Sequence, residues 1–406
     1  MNQRFILLIL TTLQLSSLCL FGQESVTGRV VDKSGKPIDV AAVYINGTTL
    51  KTTTTDNGAF ELKEVTFPCQ LVVSHLGFET LKANLDGPPA MAMLLYMKDK
   101  DITLSEVSVE GKDKRKELLQ SFRDNFLGWD TWGKGAALLN ENVLTYQLTY
   151  NEDTTNASFS GDLRQLNLPR SIIDRSLVVK AKEPLQVDLP LLGYTLTVDL
   201  DYLSLIQTIP YYNHVTGLTM DRFEICRYLG SYSFKTKENV TKSKQRRYDR
   251  NRKDAYYNST MHFGRSLLQK DLLKNGFLFL NKRKDPITNS NSYEWVNLDS
   301  CSRFDERGNL HIYGLAGKSF EIHYFGKANG SPVDMSKKQY SNPIEYAKRY
   351  NVYYNDINCS TIYFTNDTCI IRKNGTVPDS GISFGGKISN KKVGAILPDD
   401  YTPVEE

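Results

Sequence analysis

Five histidines, His75, His214, His262, His311 and His323, are the side chains of this 406-residue chain best suited to hold a metal or move a proton near neutral pH. A zinc peptidase needs His-x-x-Glu with a later His, or His-Glu-x-x-His. None of the five is followed by Glu at the third position, and Glu79 follows His75 at the wrong offset. His75 reads as a strand side chain near the surface. His262 has no His or carboxylate four residues away on its helix and reads as structural. Glycoside hydrolysis needs two carboxylates facing across a cleft. The scattered Asp162, Asp174, Asp188, Asp199 and Asp201 show no such pairing. Gly314-Leu315-Ala316-Gly317-Lys318-Ser319 lacks the four-residue gap between the glycines of a phosphate-binding loop, and reads as a hairpin turn. Ser and Cys nucleophile motifs such as Gly-x-Ser-x-Gly are read as absent. The sequence thus assigns no catalytic, cofactor-binding or metal-binding residue, and leans away from an enzyme.

The elements that would carry any site are mostly strands. With 23 Tyr and 18 Phe the composition favours half-buried pleated surfaces. A net charge of +4 is too small to argue for nucleic acid or an anionic membrane. Arg4, the apolar run Phe5–Leu10 and the small or polar residues up to Gly22 read as a secretory signal over residues 1–22, cleaved between Gly22 and Gln23. Thr11, Thr12, Gln14, Ser16 and Ser17 interrupt the run, which is shorter than the roughly 20 apolar residues of a membrane span. Leu18 before Cys19 disfavours lipid attachment. No later stretch is long and apolar enough to cross a bilayer as a helix, so no transmembrane helix is expected after cleavage. Cys69, Cys226, Cys301, Cys359 and Cys369 remain, an odd number at irregular spacing, and read as free thiols.

Residues 23–98 read as a β-sandwich. Val26, Gly28 and Val30 share a face, then Asp32-Lys33-Ser34-Gly35 turns the chain. Ala41, Val43 and Ile45 line the next strand, and Asn46-Gly47 is a hairpin signal. Asp56-Asn57-Gly58 turns again before Phe60 and Leu62. The turn acids lack the dense carboxylate spacing of a calcium loop.

The pattern carried by Val26, Gly28, Val30, Asp32, Gly35, Pro37, Ala41, Val43, Ile45, Gly47, Thr48, Thr55, Asp56, Gly58 and Phe60 resembles the carboxypeptidase-like regulatory domain. The resemblance implies a seven-stranded, transthyretin-like sandwich without catalytic groups. Such domains begin many Gram-negative envelope proteins, including TonB-dependent receptors.

Residues 99–130 read as a joint: a charged break at Lys98–Asp101, an alternating strand Ile102–Gly111, then an amphipathic helix Asp113–Leu127. Leu118, Phe122 and Phe126 fall on one stripe, and Gly128 ends the helix. The strand resembles the lead-in to a receptor plug domain. The chain that follows is too short for a 22-strand transporter barrel.

Residues 131–406 read as a β-rich region with helices near 243–275. Expected strands are Val143–Tyr150, Ser176–Lys180, Leu185–Leu189, Tyr194–Leu200, Tyr228–Lys235, His311–Leu315, Ser319–Phe325 and Thr361–Arg372. Asp305-Glu306-Arg307-Gly308-Asn309 and Asn366-Asp367 read as turns between paired strands. Ser259 is expected to cap a helix running to Lys274, with a Schellman ending at Asn275-Gly276-Phe277. Residues 235–253 hold nine Lys or Arg against two acids and read as a solvated helix face. Phe126-Leu127-Gly128, Leu192-Gly193-Tyr194, Ala255-Tyr256, Ser259, His262-Phe263, Gly276-Phe277 and Leu397-Pro398-Asp399-Asp400-Tyr401 resemble C-terminal parts of Gram-negative envelope proteins of unknown function.

The expectation is a mainly β chain, with an N-terminal sandwich and a second α+β region. It would be exported, and periplasmic or associated with the outer membrane. Its first functional reading is a non-catalytic envelope protein whose sandwich docks or spaces, and whose second region binds a protein or glycan and no nucleic acid. The alternatives are a hydrolase of envelope glycan or peptide, and an accessory to TonB-dependent uptake acting with an outer-membrane receptor.

Overall fold

The computed structural model describes residues 24–100, 112–157, 168–208, 212–213, 218–219, 224–284, 287, 291–327, 329–336, 359–377 and 381–403. The expected signal segment and the strand 102–111 lie outside these residues. The chain forms two compact units, residues 1–46 with 50–101, and residues 47–49 with 102–406.

The first unit holds seven strands: β1 (Val26–Val31), β2 (Ala42–Ile45), β3 (Lys51–Thr53), β4 (Ala59–Leu62), β5 (Cys69–Ser74), β6 (Leu81–Leu85) and β7 (Met93–Tyr96). They make two sheets, ordered β4-β1-β7 and β3-β2-β5-β6. β1 runs antiparallel to β4 and parallel to β7. Alternation buries Val26, Val30, Ala41, Val43 and Leu71 completely, with Phe60, Phe67 and Met97 among them. The expected turn chemistry is present. The Asp32 carboxylate accepts from the Ser34 N–H and hydroxyl and from the Lys36 N–H, at 2.7–2.9 Å. Asn57 Oδ1 accepts from the Ala59 N–H and the Thr55 hydroxyl.

In the second unit the helix α1 (Lys112–Phe126) buries Leu118, Phe122 and Phe126 completely, as its stripe predicts. Gly128 follows at φ +106°. The short α2 (Thr131–Gly135) is capped by Asp130, whose carboxylate accepts from the Gly133 N–H. Next come β8 (Ala137–Leu138), β9 (Leu144–Ala157), β10 (Leu168–Ala181), β11 (Leu185–Leu189) and β12 (Tyr194–Thr208). A small pair, β13 (Tyr212–Asn213) with β14 (Leu218–Thr219), precedes β15 (Glu224–Thr236). One edge of β12 pairs β15 almost throughout. Its other edge pairs β11 over Tyr194–Val198 and β10 over Leu203–Thr208. The register slips between Leu200 and Tyr202, the point at which β12 exchanges one partner for the other. β9 runs on through Asn151–Asp153, where the sequence suggested a stop, because β10 pairs it residue for residue to Ala157.

Two helices follow. α3 (Lys242–Tyr256) starts at the Thr241 cap, and α4 (Thr260–Leu268) at the expected Ser259 cap. α4 ends six residues before Lys274. A turn over 271–277 then closes as the expected Schellman motif: the Phe277 N–H donates to Leu272 O and the Gly276 N–H to Leu273 O, with Gly276 at φ +75°. The basic stretch is only partly a solvated face, because Tyr248 and Arg252 within it are buried.

The last strands are β16 (Phe277–Lys284), β17 (Asn291–Trp295), β18 (Ser302–Phe304), β19 (Leu310–Tyr313), β20 (Ser319–Tyr324), β21 (Cys359–Phe364), β22 (Thr368–Ile371) and β23 (Ile382–Gly386). They form sheets ordered β17-β16-β20-β21-β23 and β18-β19-β22. Asp305–Asn309 does join a hairpin, β18 to β19. Asn366-Asp367 and Gly314–Lys318 do not: each carries the chain from one sheet to the other. Cys359 and Cys369 therefore sit in different sheets, and the five cysteines of the described residues are thiols, not disulfide partners of one another.

Candidate functional site

The five-stranded sheet buries one face. Phe277, Phe279, Phe320, Ile322, Ile362 and Phe364 form this core with α4. Strand alternation sends the intervening residues to the opposite face. There Leu278 lies opposite His323 and Leu280 opposite Glu321 in the β16–β20 register. His323 in turn lies opposite Cys359 in the β20–β21 register. Glu321 and His323, two residues apart on one strand, thus share a face with Cys359 on the next.

The side chains converge. His323 Nε2 lies 2.7 Å from Glu321 Oε2 and 3.6 Å from Cys359 Sγ, and His323 is only 3% exposed. The ligand atoms of the three residues all lie within 4.8 Å of one another. Lys282 Nζ takes the other carboxylate oxygen, Glu321 Oε1, at 3.0 Å. The hydrogen bond from His323, working against burial and joined by Lys282, holds the Glu321 carboxyl down at about 2. An ionised carboxylate only accepts, so the imidazole donates from Nε2. This is not the arrangement of a Cys–His–acid nucleophile site. There the acid must bind one ring nitrogen and the thiol the other, whereas here both address Nε2.

The other sequence candidates are dispersed. His75 lies edge-on to the Phe78 ring at 5.4 Å. His262 is buried among Tyr256, Phe277 and Tyr324, with the Asn258 N–H donating to its Nδ1. His311 Nε2 meets Asp305 at 3.0 Å beside the β18–β19 turn. His214 and Asp162, and the side chain of Asp174, lie outside the described residues. Asp188 pairs with Lys237 at 2.5 Å, Asp199 is buried and Asp201 sits in the β12 bulge. Contrary to the expectation that no such motif is present, Gly381-Ile382-Ser383-Phe384-Gly385 has the Gly-x-Ser-x-Gly spacing of a nucleophile motif. Its Ser383 is an exposed residue within β23, opposite Tyr363 and not at a strand-to-helix elbow, so the spacing carries no chemistry.

A shallow cleft of about 220 Å³ is lined by Tyr194, Asp249, Arg252, Pro398, Asp400 and Tyr401, among others. The Arg252 guanidinium lies 4.1 Å over the Tyr194 ring, and its Nε donates to Leu192 O. Burial raises the Tyr194 phenol to about 12, so it stays protonated at neutral pH. The cleft is smaller than the roughly 300 Å³ at which ligand pockets begin.

A second surface is the side of the β9-β10-β12-β15 sheet opposite α1. Leu203 and Leu205 point into the core under α1, whereas Tyr202 and Ile206 are 38% and 41% exposed. Leu229 lies opposite Tyr202 in the register and is 41% exposed, and Ile225 lies opposite Ile206. Val178, two strands from β15, is opposite Ser204 on the same face.

Residues 26–109 match the CarboxypepD_reg-like domain. This agrees with the two-sheet, seven-strand fold of the first unit, and runs past the expected boundary at residue 98 into the segment before α1. No curated protein matches the chain. The Glu321, His323 and Cys359 cluster and the apolar face of the β9-β10-β12-β15 sheet lie beyond residue 109, outside that match.

Proposed function

We propose that this is an exported, non-catalytic binding protein of the Gram-negative cell envelope, periplasmic or attached to the outer membrane. Its CarboxypepD_reg-like domain serves as a docking or spacing module, and its second unit holds a protein partner. The signal-like residues 1–22 support export. The apolar strip of Tyr202, Ile206, Ile225, Leu229 and Val178 carries the binding reading. Four of these five side chains are aliphatic. A sugar ring stacks on aromatic platforms, whereas an aliphatic strip on a sheet face suits a protein surface. The Arg227 and Lys180 side chains are exposed beside the strip and give it a basic rim, which favours a partner with acidic residues around its own apolar patch.

The test places a photo-crosslinking residue at Ile206 in the exported full-length protein, with the exposed Glu306 of the β18–β19 turn as a control. A defined envelope adduct from position 206 that disappears in Tyr202→Glu with Leu229→Glu supports the reading. Adducts that form equally from both positions, or survive the double substitution in a folded protein, overturn it. Hydrolysis of peptidoglycan or peptide by the purified protein would overturn the non-catalytic part.

A further inference from the structure

We propose that Glu321, His323 and Cys359 form a binding site for a divalent transition-metal ion of the zinc class. Thiolate, imidazole and carboxylate are the three protein ligands such ions accept, and zinc takes them in a tetrahedron with Zn–S of about 2.3 Å and Zn–N or Zn–O of about 2.0 Å. Those lengths place sulfur and nitrogen about 3.5 Å apart across a tetrahedral ion, against 3.6 Å between Cys359 Sγ and His323 Nε2. The nitrogen-to-oxygen span would be about 3.3 Å, against 2.7 Å between His323 Nε2 and Glu321 Oε2. The carboxylate must therefore retreat by about 0.6 Å as the ion replaces the Nε2 proton. The thiol already stands at the tetrahedral distance from the imidazole nitrogen.

Three further observations favour a built site over a chance ion pair. The imidazole nitrogen Nε2 is the focus of both other groups, as an ion at the centre requires. Lys282 holds Oε1 and so leaves Oε2 aimed at the imidazole, the orienting role that partners of metal-bound carboxylates play. Leu278 and Leu280 on the same face belong to an apolar cluster with Phe325 and Met335, which lowers the dielectric beside the ligands. Three protein ligands leave the fourth tetrahedral position for water or another small ligand. This goes beyond the partner-binding reading and does not depend on it, because the ligands lie on a different sheet from the apolar strip.

The reduced, metal-free full-length protein is titrated with Co²⁺ and followed by absorption. The expected result is one equivalent bound, with a sulfur-to-cobalt charge-transfer band and strong tetrahedral d–d bands, both abolished by stoichiometric Zn²⁺. Cys359→Ser should remove the charge-transfer band, and Cys301→Ser should keep it. His323→Gln should weaken binding at least tenfold, because even losing an outer-shell partner costs about 10–100-fold. Affinity should fall as pH falls, since the ion displaces the thiol and imidazole protons. Absence of the band, or its survival in Cys359→Ser, overturns the proposal. So that a misfolded variant cannot decide the matter, X-ray absorption on the zinc-loaded wild type gives a second reading. A mixed sulfur and nitrogen or oxygen shell supports the site, and a shell without sulfur overturns it.

Discussion

His262 shows what a polar side chain does when the fold gives it no charge partner. It is 2% exposed, and its ring lies 4.8 Å from both the Tyr256 and Phe277 rings. Its Nδ1 accepts the Asn258 N–H, which requires the neutral ring. Burial, reinforced by Arg265 and Lys391 against a bond to Asn275, lowers the imidazole from 6.5 to about 3. Between those values the unfolded chain binds a proton that the folded chain refuses. Stability is therefore full above about pH 6.5 and falls as pH drops towards 3. From pH 7.5 to 5 the loss through this residue should be about 2 kcal/mol. His262→Gln keeps an acceptor for Asn258 and should flatten that part of the urea-denaturation pH profile while lowering its plateau. An unchanged slope would show that the ring is charged or solvated in the fold. The sequence marked this histidine as structural from its lack of a partner at helical spacing. Glu321 and His323, by contrast, form an ordinary Glu-x-His strand pair. Only the β20–β21 register brings Cys359, 36 residues beyond His323, onto the same nitrogen.

At the scale of elements, local signals read well and pairings did not. The Leu118, Phe122 and Phe126 stripe, the Ser259 cap and the Gly276 ending are each set by residues within one or two turns. Which strand a strand joins is set by packing across the chain, so Asn366-Asp367 and Gly314–Lys318 have hairpin chemistry but change sheets. The end of α3 is likewise closed from far away. Lys391 Nζ donates to Ala255 O at 2.8 Å, to Asp254 O at 3.2 Å and to Tyr257 O. These are carbonyls that the helix terminus leaves without partners, at the end where a cation is favoured. Lys391→Met fills much of the same volume but leaves the carbonyls bare. The expected loss is about 1–3 kcal/mol, with faster amide exchange confined to the last turn of α3 and Tyr257. If protection there is unchanged, water replaces the ammonium and Lys391 is not the cap.

On the scale of the whole molecule the two units own separate cores, one around Val26, Val43, Leu71 and Met97, the other around α1 and the β9–β15 sheet with a second cluster under α4. Gly28 offers a probe of the first core alone. It lies opposite Met93 in the parallel β1–β7 pairing, and a Cβ there would meet Met93 O at 2.5 Å and the Phe60 ring at 2.7 Å. The carbonyl belongs to the sheet backbone and cannot turn aside, so Gly28→Val forces β1 and β7 apart. Such overpacking costs about 1–3 kcal/mol, a large fraction of what a domain of under 100 residues has. Because the second unit buries none of these residues in its own cores, its stability should stand. Calorimetry of the full chain should then show two transitions, with only one moved to lower temperature by Gly28→Val. A single transition that shifts as a whole would mean that the two cores unfold as one cooperative body. In that case the sandwich would be part of the second unit's stability and not the separable docking or spacing module proposed above.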